Sequence, residues 1–315
     1  MKFSEEDYDE CTFKNNETNI MNLQDTRILV TGGTGFIGSR LAKKLHDSGA
    51  DVTILARRKQ ENIPFKIILG DLTNPNLRFD QKFDVVCHLA SVTPLEKNKK
   101  IIQSVNCDGV KNLFSAVSGA KLFIYVSGLA VFDPKYDKIT ETTPKKSDTE
   151  FIKTRIKAQE FLEENCKKSG INFSVAYLGD VVYGDGGFFK SMIIDRMQKG
   201  TFRIPGNGKY IKNFIHVEDV VGALIAIIQK SETNSYILTD SKPASFVEFL
   251  NYISDNLGVK KPKTVPTALA KLVLGSDAIK LLTRSASASN HKISQIYDFK
   301  FPSYKEGLSN LLPKL

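Results

Sequence analysis

From residue 27 onward, short continuous apolar runs alternate with stretches of helical spacing. Ile28, Leu29 and Val30 make a buried β-run ended by Thr31 and Gly32, and Ile37, Leu41 and Leu45 follow on one face of a helix. Asp51 to Leu55, Lys66 to Leu69, Phe83 to Leu89, Leu122 to Val126 and Phe173 to Leu178 read as further strands, with helices expected over about 101–117 and 150–168. Beyond Gly184 the pattern changes. FFKSMIIDRM is helix-like, 205–208 is turn-rich, Phe214 to Ile228 (FIHVEDVVGALIAII) gives a strand end and an apolar helix, and SFVEFLNYISDNLG is helical again.

Strands alternating with helices predict an α/β fold with a parallel sheet covered on both faces, its ligand at the carboxyl edge. The join at residues 31–38, TGGTGFIG, makes that fold a doubly wound Rossmann sheet. Glycines three apart follow an apolar strand and open a helix, which is the context a dinucleotide-binding turn requires. Gly32 permits the tight turn, Gly35 lets backbone amides approach a pyrophosphate, and Gly38 lets the helix pack on the strand. Thr34, Phe36 and Ile37 complete the cofactor-facing positions, where free N–H groups and the helix dipole favour an anion. The expected organisation is a polar N-terminal extension (1–25), mobile or docked through Phe3, Tyr8 and Phe13, and a dinucleotide-binding domain (26–185). Residues 209–230 return to that domain, and a smaller, discontinuous, mostly helical substrate-side domain comprises 186–208 and 231–315.

Composition narrows the function classes. The chain has 315 residues, 41% apolar and 25% charged, as in an ordinary globular protein. Cys11, Cys87, Cys107 and Cys166 lack metal-ligand spacing and read as reduced thiols, so no metal is expected. No apolar run reaches the roughly 18 residues of a span and the N-terminal stretch is acidic rather than basic and then apolar, so the expected location is cytoplasmic, with no membrane partner. The net charge of +9 is dispersed, without a basic stripe interleaved with aromatics; it reads as solvated surface that attracts small anions, and no nucleic-acid partner is expected.

At the end of the second strand, where an NAD site offers a carboxylate to the ribose, stand Ala56, Arg57, Arg58 and Lys59. A 2′-phosphate can sit against these cations, with Arg57 bonding it bidentately, so NADP is the expected cofactor and NAD the alternative. An exposed basic turn without a ligand is the other reading. Asp71 and Leu72 close the third strand, where a carboxylate can accept the adenine amino group; Leu89 and small Ala90 end the fourth beside the ribose and pyrophosphate, and His88 reads as a packed histidine.

TGGTGFIG (31–38), GDL (70–72), HLA (88–90), VNCDGVKNL (105–113), YVSGLAVF (125–132), VVYGDGG (181–187), FIHVEDVVGAL (214–224) and FPSYKEGLSNLL (301–312) resemble, in order and spacing, the extended short-chain dehydrogenases/reductases, the NAD-dependent epimerase/dehydratase family. The resemblance spans about 27–312. It implies hydride transfer at a carbinol carbon, with a tyrosinate acid/base, a lysine four residues later on the nicotinamide ribose, and a serine or threonine on the reacting oxygen. Here Lys157 fits the lysine, but Lys153 stands four residues before it, not tyrosine. The usual hydroxyl position falls on Gly128, with Ser127 beside it as a substitute. Arg-Pro of the family is replaced by Leu178 and Gly179, and Tyr183 matches a tyrosine of loop geometry.

These observations imply an NAD(P)-dependent epimerase, dehydratase or reductase acting on a nucleotide-sugar or related small carbonyl or carbinol compound. Residues 205–209 and 213–216 look like the family's substrate-contacting stretch, or like a surface hairpin. The alternatives are a dinucleotide-binding protein without the standard redox step, acting as a sensor or assembly subunit, and an enzyme using Lys153, Tyr136 or Tyr177 as acid/base. The family pattern also makes a homodimer through the helices near 101–117 and 151–168 an expected assembly.

Overall fold

The computed structural model describes residues 20–61 and 63–315. Cys11 and the aromatic residues of the N-terminal extension lie outside them. Residues 20–25 already belong to the folded body: Met21 N donates to Gln229 O at 2.7 Å, and Leu23 is buried in the core.

Seven parallel strands form one sheet: β1 (Arg27–Thr31), β2 (Asp51–Ala56), β3 (Lys66–Leu69), β4 (Val85–His88), β5 (Leu122–Gly128), β6 (Asn172–Leu178) and β7 (Asn234–Leu238). Their order is β3-β2-β1-β4-β5-β6-β7. The chain therefore winds outward in one direction from β1 and then in the other from β4, and a crevice opens between the carboxyl ends of β1 and β4. Register places Thr31 beside both Leu55 and His88, His88 beside Tyr125, and Ser127 beside Tyr177, so these side chains share the functional edge.

The strands are near-continuous apolar runs because both faces are covered. On one face α1 (Phe36–Asp47) and α5 (Val217–Lys230) bury Leu41, Leu45, Val220, Leu224 and Ile227 against Ile28, Val30 and Ile124. On the other, α3 (Gly109–Ala116) and α4 (Glu150–Ser169) bury Val110, Leu113, Ala158 and Leu162 against Leu29, Val86, Phe123 and Tyr125. The helix expected over 101–117 begins earlier, as α2 (Lys99–Gln103), and reaches α3 through one wide turn, Ser104–Asp108. That widening buries Asn106, whose Oδ1 accepts from Ser91 Oγ at 3.0 Å and Val92 N at 3.1 Å, anchoring the loop after β4.

Beyond the boundary expected at 231, Asn234–Leu238 adds the seventh strand, and Ile293 packs in the sheet's core. Its last three residues, Tyr236, Ile237 and Leu238, are buried. A second core gathers Phe189, Phe214, Phe249 and Ile253 with Tyr304 and Leu308, from α6 (Phe246–Leu257) and α9 (Tyr304–Leu311) among others.

Candidate active site

The glycine turn is built by close backbone approach. Gly32 has φ +72°, and a Cβ there would lie 2.9 Å from Ala90 N, because β1 and β4 end side by side. A Cβ on Gly38 would lie 2.8 Å from Gly32 C and closer still to Gly32 O, so α1 starts in direct contact with the turn. The N-cap of α1 is Gly35, no side chain caps it, and its first turn carries no acid. Its leading amides and positive dipole end are therefore free for an anion. Phe36 has a second task. Its ring lies under Gly184, Gly186 and Gly187, where a Cβ on Gly187 would sit 2.6 Å from Phe36 Cγ, and it stacks under Arg40 at 4.5 Å. Arg40 also pairs with Asp185. The glycines of VVYGDGG thus let that loop cross the first residue of the phosphate helix.

At the far end of the crevice Ala56 is buried and Arg57 and Arg58 are exposed at the end of β2, with no carboxylate between them. Asp71 Oδ1 accepts from Thr73 N and Thr73 Oγ1, both at 2.8 Å; the Thr73 bonds outweigh burial and, with nearby Arg57, hold its carboxyl below the ordinary range. Leu72 is buried and its carbonyl accepts from Asn112 Nδ2 at 2.8 Å. Leu89 N donates to Thr31 O at 3.2 Å, and Ala90 stays half-buried at the crevice wall.

Toward the centre of the sheet, His88 is fully buried. Its Nδ1 lies 2.7 Å from Thr31 Oγ1 and its ring lies parallel to that of Tyr125, 5.8 Å between centroids. Burial, reinforced by Arg155, pushes its pKa down to about 3, so it is a neutral packed histidine. Ser127 is buried at the end of β5, and its Oγ has no partner among the described residues.

These features were compared with known proteins. The model of the NAD dependent epimerase/dehydratase family matches residues 28–238. The chain belongs to this family. An uncharacterized protein, y4nG of Sinorhizobium fredii, is 27% identical over 268 residues, 77% of this chain; the chain spans 64% of that protein's length. Human epimerase family protein SDR39U1, solved with NADPH, superposes with TM-score 0.78 at 21% identity, covering 92% of this chain and 100% of that one. MoeE5, solved with UDP-glucose and NAD, gives TM-score 0.78 at 22% identity, covering 91% and 97%.

The burial of α4 separates the residues expected for the family's acid/base plan from the sheet-facing positions. Lys153 and Lys157 are exposed, and Lys157 lines a shallow outer cavity with Gln103, Cys107, Lys111 and Glu164, facing α2 rather than Ser127. The face turned to the sheet carries Ile152, Thr154, Arg155, Ala158 and Gln159. The pair at Tyr-x-x-x-Lys spacing that includes an inward cation is therefore Phe151 and Arg155. The signal was present in the sequence as a Phe–Arg pair four apart.

Arg155 is buried, with Nη2 donating to Val126 O and Cζ 4.4 Å over the Tyr125 ring; among the described residues no carboxylate pairs with it and Nη1 has no partner, and burial lowers its pKa. Tyr177 is no candidate acid. It is buried in the core, bonded to Gln159 Nε2 at 2.9 Å, and burial drives its pKa far up. Tyr136 sits on an outer turn under Lys135. The wholly buried Tyr183 stacks edge-on against His216, 5.2 Å away.

Beyond the end of β5 lies a cavity of about 310 Å³, lined by Asp148, Ile152, Lys280, Thr283, Arg284 and Ser285 among others. Arg284 Nη1 donates to Ala130 O at 2.9 Å and Leu129 O at 3.3 Å, next to Gly128, while its Nε and Nη2 have no partner among the described residues. Two residues of the suggested substrate stretch hold backbone. Asn213 Nδ2 donates to Asp180 Oδ2 at 2.7 Å and Ala286 O at 2.9 Å, its Oδ1 accepts from Ala288 N at 2.8 Å, and His216 Nδ1 caps α5.

Proposed function

We propose that this chain binds NADP(H) and acts as an epimerase, dehydratase or reductase on a small carbonyl or carbinol compound bearing an anionic group, nucleotide-sugars among them. The observation carrying the cofactor reading is the end of β2, where Arg57 and Arg58 are exposed with buried Ala56 in place of a carboxylate. The uncapped α1 terminus fits the pyrophosphate, and Asp71, Leu72, Leu89 and Ala90 line the adenosine side. The bound NADPH of the SDR39U1 structure supports the same reading. Arg284 and Lys280 at the cavity support an anionic substrate, as does the UDP-glucose of MoeE5.

Titrating the protein with NADPH and NADH by thermal shift or nucleotide fluorescence tests this. NADPH should bind about 10- to 100-fold more tightly, the worth of a charge-assisted phosphate contact, and Arg57→Gln should remove most of the preference. Equal or tighter binding of NADH overturns it.

A second reading, dinucleotide binding without the standard redox step, is favoured by one observation. Gly128, Phe151 and Arg155 occupy the positions of hydroxyl, phenol and ribose lysine, and a phenyl ring holds no proton to transfer. A panel of nucleotide-sugars and small carbonyls, followed by absorbance of the reduced cofactor and by product mass, separates the two. Turnover supports the first; clear cofactor binding with no turnover supports the second.

A further inference from the structure

On the substrate side one helix leaves apolar side chains exposed. The hairpin of α7 (Thr267–Leu274) and α8 (Ser276–Thr283) turns at Gly275, whose φ is +91°. Its second helix faces inward: Ala278 and Ile279 are buried, and Lys280 and Thr283 line the cavity beside Arg284. Its first helix faces outward, with Ala270 its one buried residue. Leu269, Leu272 and Val273 are 57%, 82% and 73% exposed, and Leu282 on α8 is 36% exposed. Side chains open to that extent stand on a convex ridge, not in a groove. The loop after β4 supports this ridge, with Lys97 Nζ donating to Val273 O at 3.3 Å, and just beyond it Lys99 and Lys100 precede Ile101, itself 41% exposed.

The charge in this stretch is mostly positive. Between residues 255 and 283 the chain carries Lys260, Lys261, Lys263, Lys271 and Lys280 against Asp255 and Asp277; Asp255 pairs with Lys261 at 3.3 Å and Lys280 lines the cavity, which leaves Lys260, Lys263 and Lys271 exposed and without a carboxylate partner among the described residues. Exposed apolar side chains on a protruding helix with lysines at the rim fit the boundary of an anionic bilayer, where the ridge enters between headgroups and the ammonium groups meet lipid phosphates. A second copy of this chain is disfavoured, because self-pairing would bring the same lysines together. We infer that the α7 ridge docks this protein on an anionic phospholipid surface, with the substrate cavity behind it held near that surface. No spanning segment is needed: among the described residues no helix is long and apolar enough to cross a membrane, and a surface contact requires none.

Flotation of the full chain with phosphatidylcholine vesicles and with mixed phosphatidylcholine–phosphatidylglycerol vesicles tests the inference. Binding is expected to the mixed vesicles, weakened by salt, and reduced roughly tenfold or more by Leu272→Glu with Val273→Glu. These side chains are solvent-exposed, so the variant should keep the parent's thermal midpoint and NADPH titration, which makes failure here distinct from failure of the cofactor site. No binding to mixed vesicles, or binding that the double variant retains, overturns the inference. A concentration-dependent dimer by light scattering, lost in the double variant without vesicle binding, also overturns it and assigns the ridge to a second copy.

Discussion

Adding one methyl group at Gly38 tests the architecture of the cofactor turn. Gly38 sits in the first turn of α1, where a Cβ would lie 2.8 Å from Gly32 C and 3.0 Å from Gly33 Cα, and closer still to Gly32 O. All three are backbone atoms, so no side chain can rotate away, and the start of α1 must retreat from the turn by about 1 Å. Overpacking of this kind costs about 1–3 kcal/mol, which lowers Tm by roughly 2–10 °C in a chain of this size. The same retreat withdraws the leading amides from the anion. Losing one charge-assisted bond removes about 1.5–3 kcal/mol, so NADPH affinity should fall about 10- to 100-fold. Gly170→Ala supplies the control. Gly170 caps α4 with φ +66° and open space around its Cβ position, so alanine there should cost about 1 kcal/mol of stability and leave NADPH affinity intact. Differential scanning fluorimetry and NADPH fluorescence read both quantities. A Gly38→Ala protein that binds NADPH within a factor of two of the parent, at unchanged Tm, would refute the close-packing account.

Two further substitutions test buried charge. Asp240 is buried, Oδ1 accepts from Lys242 N at 3.1 Å, Oδ2 has no partner among the described residues, and burial pushes its pKa from 3.8 up to about 7. Since the folded pKa is the higher one, folding takes up a proton between those values; stability should fall by up to about 4 kcal/mol as pH rises from about 4 to 7, and Asp240→Asn should flatten urea midpoints across that window. Parallel curves for parent and variant would show that the carboxyl is ionised at little cost. Arg155→Met removes a buried cation with no carboxylate partner: the lost bond to Val126 O costs about 1.5–3 kcal/mol, relief of desolvation returns a similar amount, and net stability should stay within about 2 kcal/mol of the parent. A loss above about 3 kcal/mol in urea unfolding would mean that an opposing charge holds the guanidinium.

Legibility in the sequence followed the strength of the local physics. Strands β1 to β6 could be placed because buried parallel strands read as apolar runs, and the phosphate turn because glycine alone tolerates the approach of Gly32 to Ala90 and of Gly38 to Gly32. β7 was missed because NSYIL is a short edge run whose assignment depends on pairing with β6. Arg284 was missed because its contact with Ala130 spans 154 residues, and no periodicity encodes that distance. The register of α4 was lost for a subtler reason. TEFIKTRIKAQE offers lysines at 153 and 157 that match a functional spacing, and charge alone favours them as ligands of a dinucleotide. Burial decides otherwise: Ile152, Ala158 and Leu162 must face Phe123 and Tyr125, which turns 155 inward and leaves 153 and 157 in water. The inward cation is then an arginine, whose charge is effectively permanent, and its partner at the phenol spacing is a phenylalanine. A lysine beside a tyrosine tunes a proton that moves during the reaction. An arginine four residues after a phenylalanine has no phenol to tune, and at this position the chain holds a buried guanidinium under the end of β5, bonded to Val126 O.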